Sequence, residues 1–216
     1  MFMNLMTSQS MRNRNTGATM VEVLVSVLLL SFSLLGIAGL MAATTRYQLG
    51  VESRSTVTML FNDATSRMRT NLAEVPGFDA TVTSPTFNYT ASWSTQQSTI
   101  ASPATNCGPT ATATCTNAQR ATYDLWELRS SARRSLPQGS LQLIGDTADG
   151  LTVTYLWMDK DFVDGSLVST SNPSGLRTSA TCSSTDTIMQ RQACCPTQAS
   201  VSTSPGVRCL NFTFIP

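Results

Sequence analysis

Two sets of residues in this chain have the types and spacing to do chemistry. The first is a single acid, Glu22, at the head of a run of 23 uncharged, mostly apolar residues, 23–45, that ends only at Arg46. A carboxylate at the edge of a lipid-compatible helix costs about 2–3 kcal/mol or more and marks a function with a specific partner. The second set is six cysteines: Cys107, Cys115, Cys182, Cys194, Cys195 and Cys209. An even number in a chain that leaves the cytoplasm reads as disulfides, and the paired CxxC spacing of a zinc site is absent. Cys107 and Cys115, close in sequence around Gly108-Pro109, are the preferred bridge. Adjacent cysteines rarely bond to each other because the ring strains the peptide. Cys194 and Cys195 are therefore expected to reach Cys182 and Cys209, with the assignment open.

Other chemistry is sparse. There is no histidine, which removes the commonest general base and metal ligand. Serine and threonine are plentiful but lack a base, so the chain is not expected to be an enzyme. Lys and Arg number 14 against 13 Asp and Glu, and only 12% of residues are charged, so neither nucleic acid nor an acidic substrate is an expected partner. Asp159, Asp161, Asp164 and Gly165 imitate a calcium loop. The third acid sits one place late, however, and Thr170 stands where a twelfth-position Glu is required. A turn rich in Asp and Gly is the better reading, and no metal or cofactor is expected.

The elements that must position these residues follow from periodicity. At about 1.5 Å per residue the run 23–45 makes a helix of roughly 35 Å, enough to cross a bilayer core of about 30 Å. Beyond Arg46, Tyr47, Val51, Val57, Leu60, Phe61, Ala64, Met68, Leu72 and Val75 recur at three- and four-residue steps, and Pro76-Gly77 supplies a stop. One helix is expected from about 19 to 74. Alternation of Phe87, Tyr89, Ala91 and Trp93 predicts a half-buried strand. Thr116 or Asn117 can cap a helix with the stripe Ala118, Ala121, Leu125, Leu128 and Ala132, which ends at Leu136-Pro137. Arg129, Arg133 and Arg134 form a basic face, read as solvated. Runs 140–145 and 151–158 around a five-residue turn predict an antiparallel hairpin. Residues 166–205 read as loop, and 207–215 as a final strand closing the sheet against the first helix. The fold class is α+β.

The residues around Glu22 carry a resemblance. Arg12 and Arg14 precede Thr16-Gly17, the apolar run begins directly afterwards, and Glu22 is the fifth residue after the glycine. MRNRNTG followed by ATMVEVLVSVLLLSFSLLGIAGL resembles the type IV prepilin signal. That resemblance implies cleavage between Gly17 and Ala18 by prepilin peptidase and N-methylation of the new amine on Ala18. The apolar helix is then retained, whereas an ordinary signal peptide is cut after its apolar region. Ala18 stands where most pilins carry Phe, and a start at Met11 would give a seven-residue leader. In an assembling filament each Glu22 would pair with the Ala18 amine of a neighbouring subunit, neutralising two charges that are costly in an apolar bundle.

Residues 115–143, CTNAQRATYDLWELRSSARRSLPQGSLQL, are similar to a passage of the PilV-type minor pilins, the type IV pilus modification proteins. Tyr123-Asp124-Leu125-Trp126 and Leu136-Pro137-Gln138-Gly139 carry the match. The implied architecture is the type IV pilin fold. Its long N-terminal helix packs on an antiparallel sheet, with a disulfide-stapled C-terminal region. The implied parts are a cleaved leader 1–17, a transmembrane and assembly half-helix 18–45, an amphipathic half-helix 46–76 and a globular head 77–216. The implied role is incorporation into, or priming of, a type IV pilus, with adhesion or twitching motility as associated activities. A type II secretion pseudopilin is the alternative, and a membrane-anchored adhesin a more distant one. The implied partners are other minor pilins, the major pilin, prepilin peptidase and the inner-membrane assembly platform. The implied location is the inner membrane with the head in the periplasm before assembly, and the pilus on the cell surface afterwards.

Overall fold

The computed structural model describes residues 17, 19–111 and 114–216. Contacts divide the chain into two units, the second of which is Tyr47–Pro216. Helix α1, Met20–Thr70, begins in the first unit and contributes its C-terminal part to the second. In the first unit every described side chain of the helix is exposed. Its most apolar window has a mean hydropathy of 2.5, so α1 is long and apolar enough to cross a membrane.

In the second unit α1 buries Val57, Leu60, Ala64 and Met68, and Phe61 stacks on Phe212 at 4.6 Å. Tyr47 and Val51 continue that stripe in sequence, yet both are exposed. The packed face begins only at Val57, and the positions before it border a cleft beside the end of the sheet. The α-helix also stops short of residue 74. Asn71 leaves helical geometry and its amide donates to the Asn117 carbonyl at 2.7 Å, after which one 3-10 turn, Leu72–Glu74, completes the element.

The predicted strand around 87–93 is replaced by a single bridge, Tyr89 to Leu143, and a one-turn helix, α2, Trp93–Gln96. The Ser92 hydroxyl accepts the Thr95 N–H and starts that turn. Serine at an N-cap satisfies an orphan amide that strand pairing would have used. Helix α3, Asn117–Ser135, opens with a full capping box from Thr116 and Gln119. Ala121, Leu128 and Ala132 are buried, whereas Ala118 is exposed one turn too early to meet the sheet.

The sheet is three antiparallel strands in the order β1, Ser140–Asp146, β2, Gly150–Met158, and β3, Val207–Phe214. The β1–β2 hairpin is one pair longer than predicted, since Asp146 pairs with Gly150 and leaves three residues in the turn. The Asp146 carboxylate accepts the N–H groups of Ala148 and Asp149 at 2.9 and 2.8 Å, which sets the turn locally. Between α3 and β1 the chain reverses through Leu136-Pro137-Gln138-Gly139. A side chain at Gly139 would overlap the Ala132 carbonyl, so only glycine permits strand and helix to approach so closely. Gln138 beside it takes the left-handed conformation, φ 53°.

Two cores result. The larger joins α1, α3 and one face of the sheet. The smaller gathers Trp93, Leu156, Cys195, Ala199, Val201, Val207 and Cys209. The stretch read as loop contains a six-residue helix, α4, Ile188–Ala193, with its own capping box from Thr187 and Gln190.

Candidate functional site

Glu22 lies in the first turn of α1 and is exposed. Its N–H reaches the Thr19 carbonyl at 3.0 Å and the Thr19 hydroxyl at 3.3 Å, so Thr19 acts as the cap of the helix. A Thr three residues before a Glu is the sequence form of a capping box, and an acid in the first turn faces the positive end of the helix dipole. The carboxylate therefore has a local electrostatic reason to sit there and no ion-pair partner among the described residues. Gly17 is exposed. Ala18 lies outside the described residues, so the expected junction is seen from one side only.

All six cysteines are paired: Cys107 with Cys115, Cys182 with Cys194, and Cys195 with Cys209. The assignment that sequence left open is thereby made. The adjacent cysteines diverge because Cys195 points into the smaller core while Cys194 faces Cys182 across a loop that begins beside it. The Cys182 N–H donates to the Cys195 carbonyl at 2.9 Å, and the Cys195 N–H to the Ala180 carbonyl at 2.8 Å. Asn211 on β3 ties this loop to the sheet, donating to the carbonyls of Arg191 and Cys194 at 2.6 and 2.8 Å.

Of the arginines expected to form a solvated face, Arg129 and Arg133 dock on other segments of the head, while Arg134 stays exposed. Arg129 lies 4.7 Å over the Tyr89 ring. Arg133 donates to the Gln96 carbonyl and to the Gln97 side chain. Arg134, the most exposed of the three, pairs with Glu127 at 3.0 Å. Burial raises the Tyr89 phenol above its ordinary value, and the Arg129 charge offsets part of that rise.

The Asp-rich segment 159–165 is organised by its own side chains. The Asp159 carboxylate approaches the Arg208 guanidinium to 2.7 Å, and that guanidinium lies 4.4 Å over the Phe162 ring. Asp164 is held below the usual carboxylate range by hydrogen bonds from the Ser166 hydroxyl and N–H. Among the described residues no group of three or more Cys, Asp or Glu side chains gathers as metal ligands.

Sequence reasoning missed three polar devices. Arg67 on α1 meets Asp124 on α3 at 2.7 Å and Asp63 one turn back at 3.0 Å. Burial pulls the Arg67 guanidinium down, but the hydrogen bonds and charges of the two carboxylates outweigh it and leave the group above its ordinary value. Asp124 sits three residues after Ala121 on the buried stripe, a signal that was visible in the sequence. The second device is Gln96, whose amide donates to the Leu141 carbonyl at 2.9 Å and accepts the Leu141 N–H at 3.2 Å. A side-chain amide thus stands in for a missing strand along β1. The third is Tyr155, fully buried, with a hydroxyl that has no partner among the described residues.

Comparison of the chain with family models, with curated proteins and with solved structures finds no match.

Proposed function

We propose that the chain is a minor pilin of the PilV type, a subunit incorporated into or priming a type IV pilus. The observation that carries the reading is Glu22 in the first turn of a long exposed apolar helix, five residues after Gly17 and a basic leader. Such a helix is long and apolar enough to lie in a membrane. Its leading carboxylate has no charge partner among the described residues, which in a membrane would be costly. Cleavage after Gly17 would create an ammonium on Ala18. A neighbouring subunit's ammonium would then neutralise Glu22, and axial register would follow because a misplaced helix leaves the acid unpaired. A head of α+β composition on that helix, stapled by three disulfides, suits a pilin fold outside the cytoplasm.

The test is mass spectrometry of the purified protein's N-terminus. The expected species begins at Ala18 and carries one added methyl group. A chain that begins at Met1, or one cut after Ala42 or Ala43, overturns the proposal.

A further inference from the structure

Two surface features of the second unit have no role in filament register, and they complement each other. One is a knob. Ile188 and Met189, in the first turn of α4, are 80% and 82% exposed. The loop that carries them is tied by its own bonds. The Cys182–Cys194 bridge closes the loop, the Ser183 N–H donates to the Asp186 carboxylate at 2.8 Å, and Arg191 donates to the carbonyls of Ser184 and Asp186 at 2.9 and 3.1 Å. Arg191 forms no ion pair among the described residues. An apolar pair on a tied backbone, with a cation beside it, is an anchor whose backbone ordering cost has been met before binding.

The other feature is a hole. A cleft of about 420 Å3 is lined by Trp157, Met158 and Pro137, and its charged residues are three acids, Glu52, Asp159 and Asp161, against one cation, Lys160. That volume falls in the range of roughly 300–1,000 Å3 in which clefts take up a ligand or side chains. Its lining is mostly apolar, and neither Glu52 nor Asp161 forms an ion pair among the described residues.

We propose that the Ile188-Met189 knob of one copy seats in the Trp157 cleft of a second copy, with Arg191 meeting Glu52 and Asp161. Apolar filling and opposite charge both favour this pairing, and electrostatic complementarity fixes its register. Knob and cleft are different patches of one head, so each copy carries both halves of the contact. It does not depend on the pilin reading, because the contact is made by the second unit whatever becomes of the N-terminus.

The experiment uses the full chain, purified in detergent micelles, with a photo-crosslinking amino acid replacing Met189. The expected result is a covalent dimer whose peptide map joins position 189 to the cleft around Trp157. Ile188→Asp, a change at an exposed position, should lower dimer yield at least roughly tenfold, the size expected when a central apolar anchor is lost. Thr56→Trp fills the cleft and should do the same. Mixing a Thr56→Trp copy that carries the crosslinker with an Ile188→Asp copy should restore the dimer, since the mixture holds one intact knob and one intact cleft. Overturning results are crosslinks mapping elsewhere, no dimer from the purified chain, or no recovery on mixing.

Discussion

Tyr155 provides a sharp test of how the head is held together. It is fully buried between α1 and the sheet, and its hydroxyl has no hydrogen-bond partner among the described residues. A buried hydroxyl left unpaired costs about 1–3 kcal/mol of desolvation, whereas its removal with the ring retained is close to neutral in packing. Tyr155→Phe should therefore raise stability at pH 7 by about 1 kcal/mol. The same burial, with a smaller contribution from the Asp63 charge, drives the Tyr155 phenol far above its ordinary value. The folded state then keeps a proton that the unfolded state releases near pH 10. Stability that is whole below that pH must fall above it, by about 1.4 kcal/mol per pH unit for one such group. Between pH 10 and 12 the native chain should lose roughly 2–3 kcal/mol more than Tyr155→Phe. Urea unfolding followed by tryptophan fluorescence reads this directly, since Trp93 and Trp157 are both 4% exposed. Equal alkaline slopes, or a variant destabilised by more than about 1 kcal/mol at pH 7, would refute the reasoning by showing that the hydroxyl is partnered.

Three further outcomes are expected. Asp124→Ala takes from Arg67, which is only 27% exposed, one of its two carboxylates and leaves it Asp63; it should cost about 1–2 kcal/mol in the same unfolding assay, whereas replacing Arg67 and Asp124 together by apolar residues should cost less. Gly139→Ala drives a methyl group into the Ala132 carbonyl and should cost about 2 kcal/mol or more, visible as a lowered melting temperature by circular dichroism. On the pilin proposal, Glu22→Gln should leave leader processing intact but reduce recovery of the protein in sheared pili, and recovery at the native level would remove the pairing argument.

Much of the fold was legible because it is periodic. The apolar run, the stripe of α3 and the alternation of β2 are local patterns, and each became the element its period demands. What was not legible depends on partners distant in sequence. Phe87, Tyr89, Ala91 and Trp93 alternate like a strand, but only Tyr89 pairs with β1. The Gln96 amide takes the next position along that edge, and nothing local in a glutamine announces such a role. Tyr47 and Val51 obey the helical period without meeting a core, since periodicity states which face is apolar and not where the opposing surface begins. The basic residues of α3 were read as solvent-facing because charge is normally solvated. Here the guanidinium groups of Arg129 and Arg133 dock a ring and a carbonyl instead.

The cysteines show why a chain with so few charged and aromatic residues can still fix its C-terminal third. Residues 166–205 offer little that can be buried, and ordering them costs about 1–2 kcal/mol of backbone entropy per residue. The smaller core answers this by including the bridge itself: Cys195 and Cys209 are 0% and 5% exposed and pack with Trp93, Leu156 and Val207. That bridge joins the end of α4's loop to β3, so closure and burial act on the same atoms. Cys182–Cys194 then needs to fix only the outer loop, whose carbonyls Arg191 and Asn211 already hold. The first unit uses the opposite strategy. Every described side chain of its helix is exposed, so that apolar surface is left unburied within the chain, with one acid, Glu22, at its head. On the pilin proposal, burial inside one chain and burial between chains would thus be separated along a single polypeptide, as a subunit that must first be stable alone and then assemble requires.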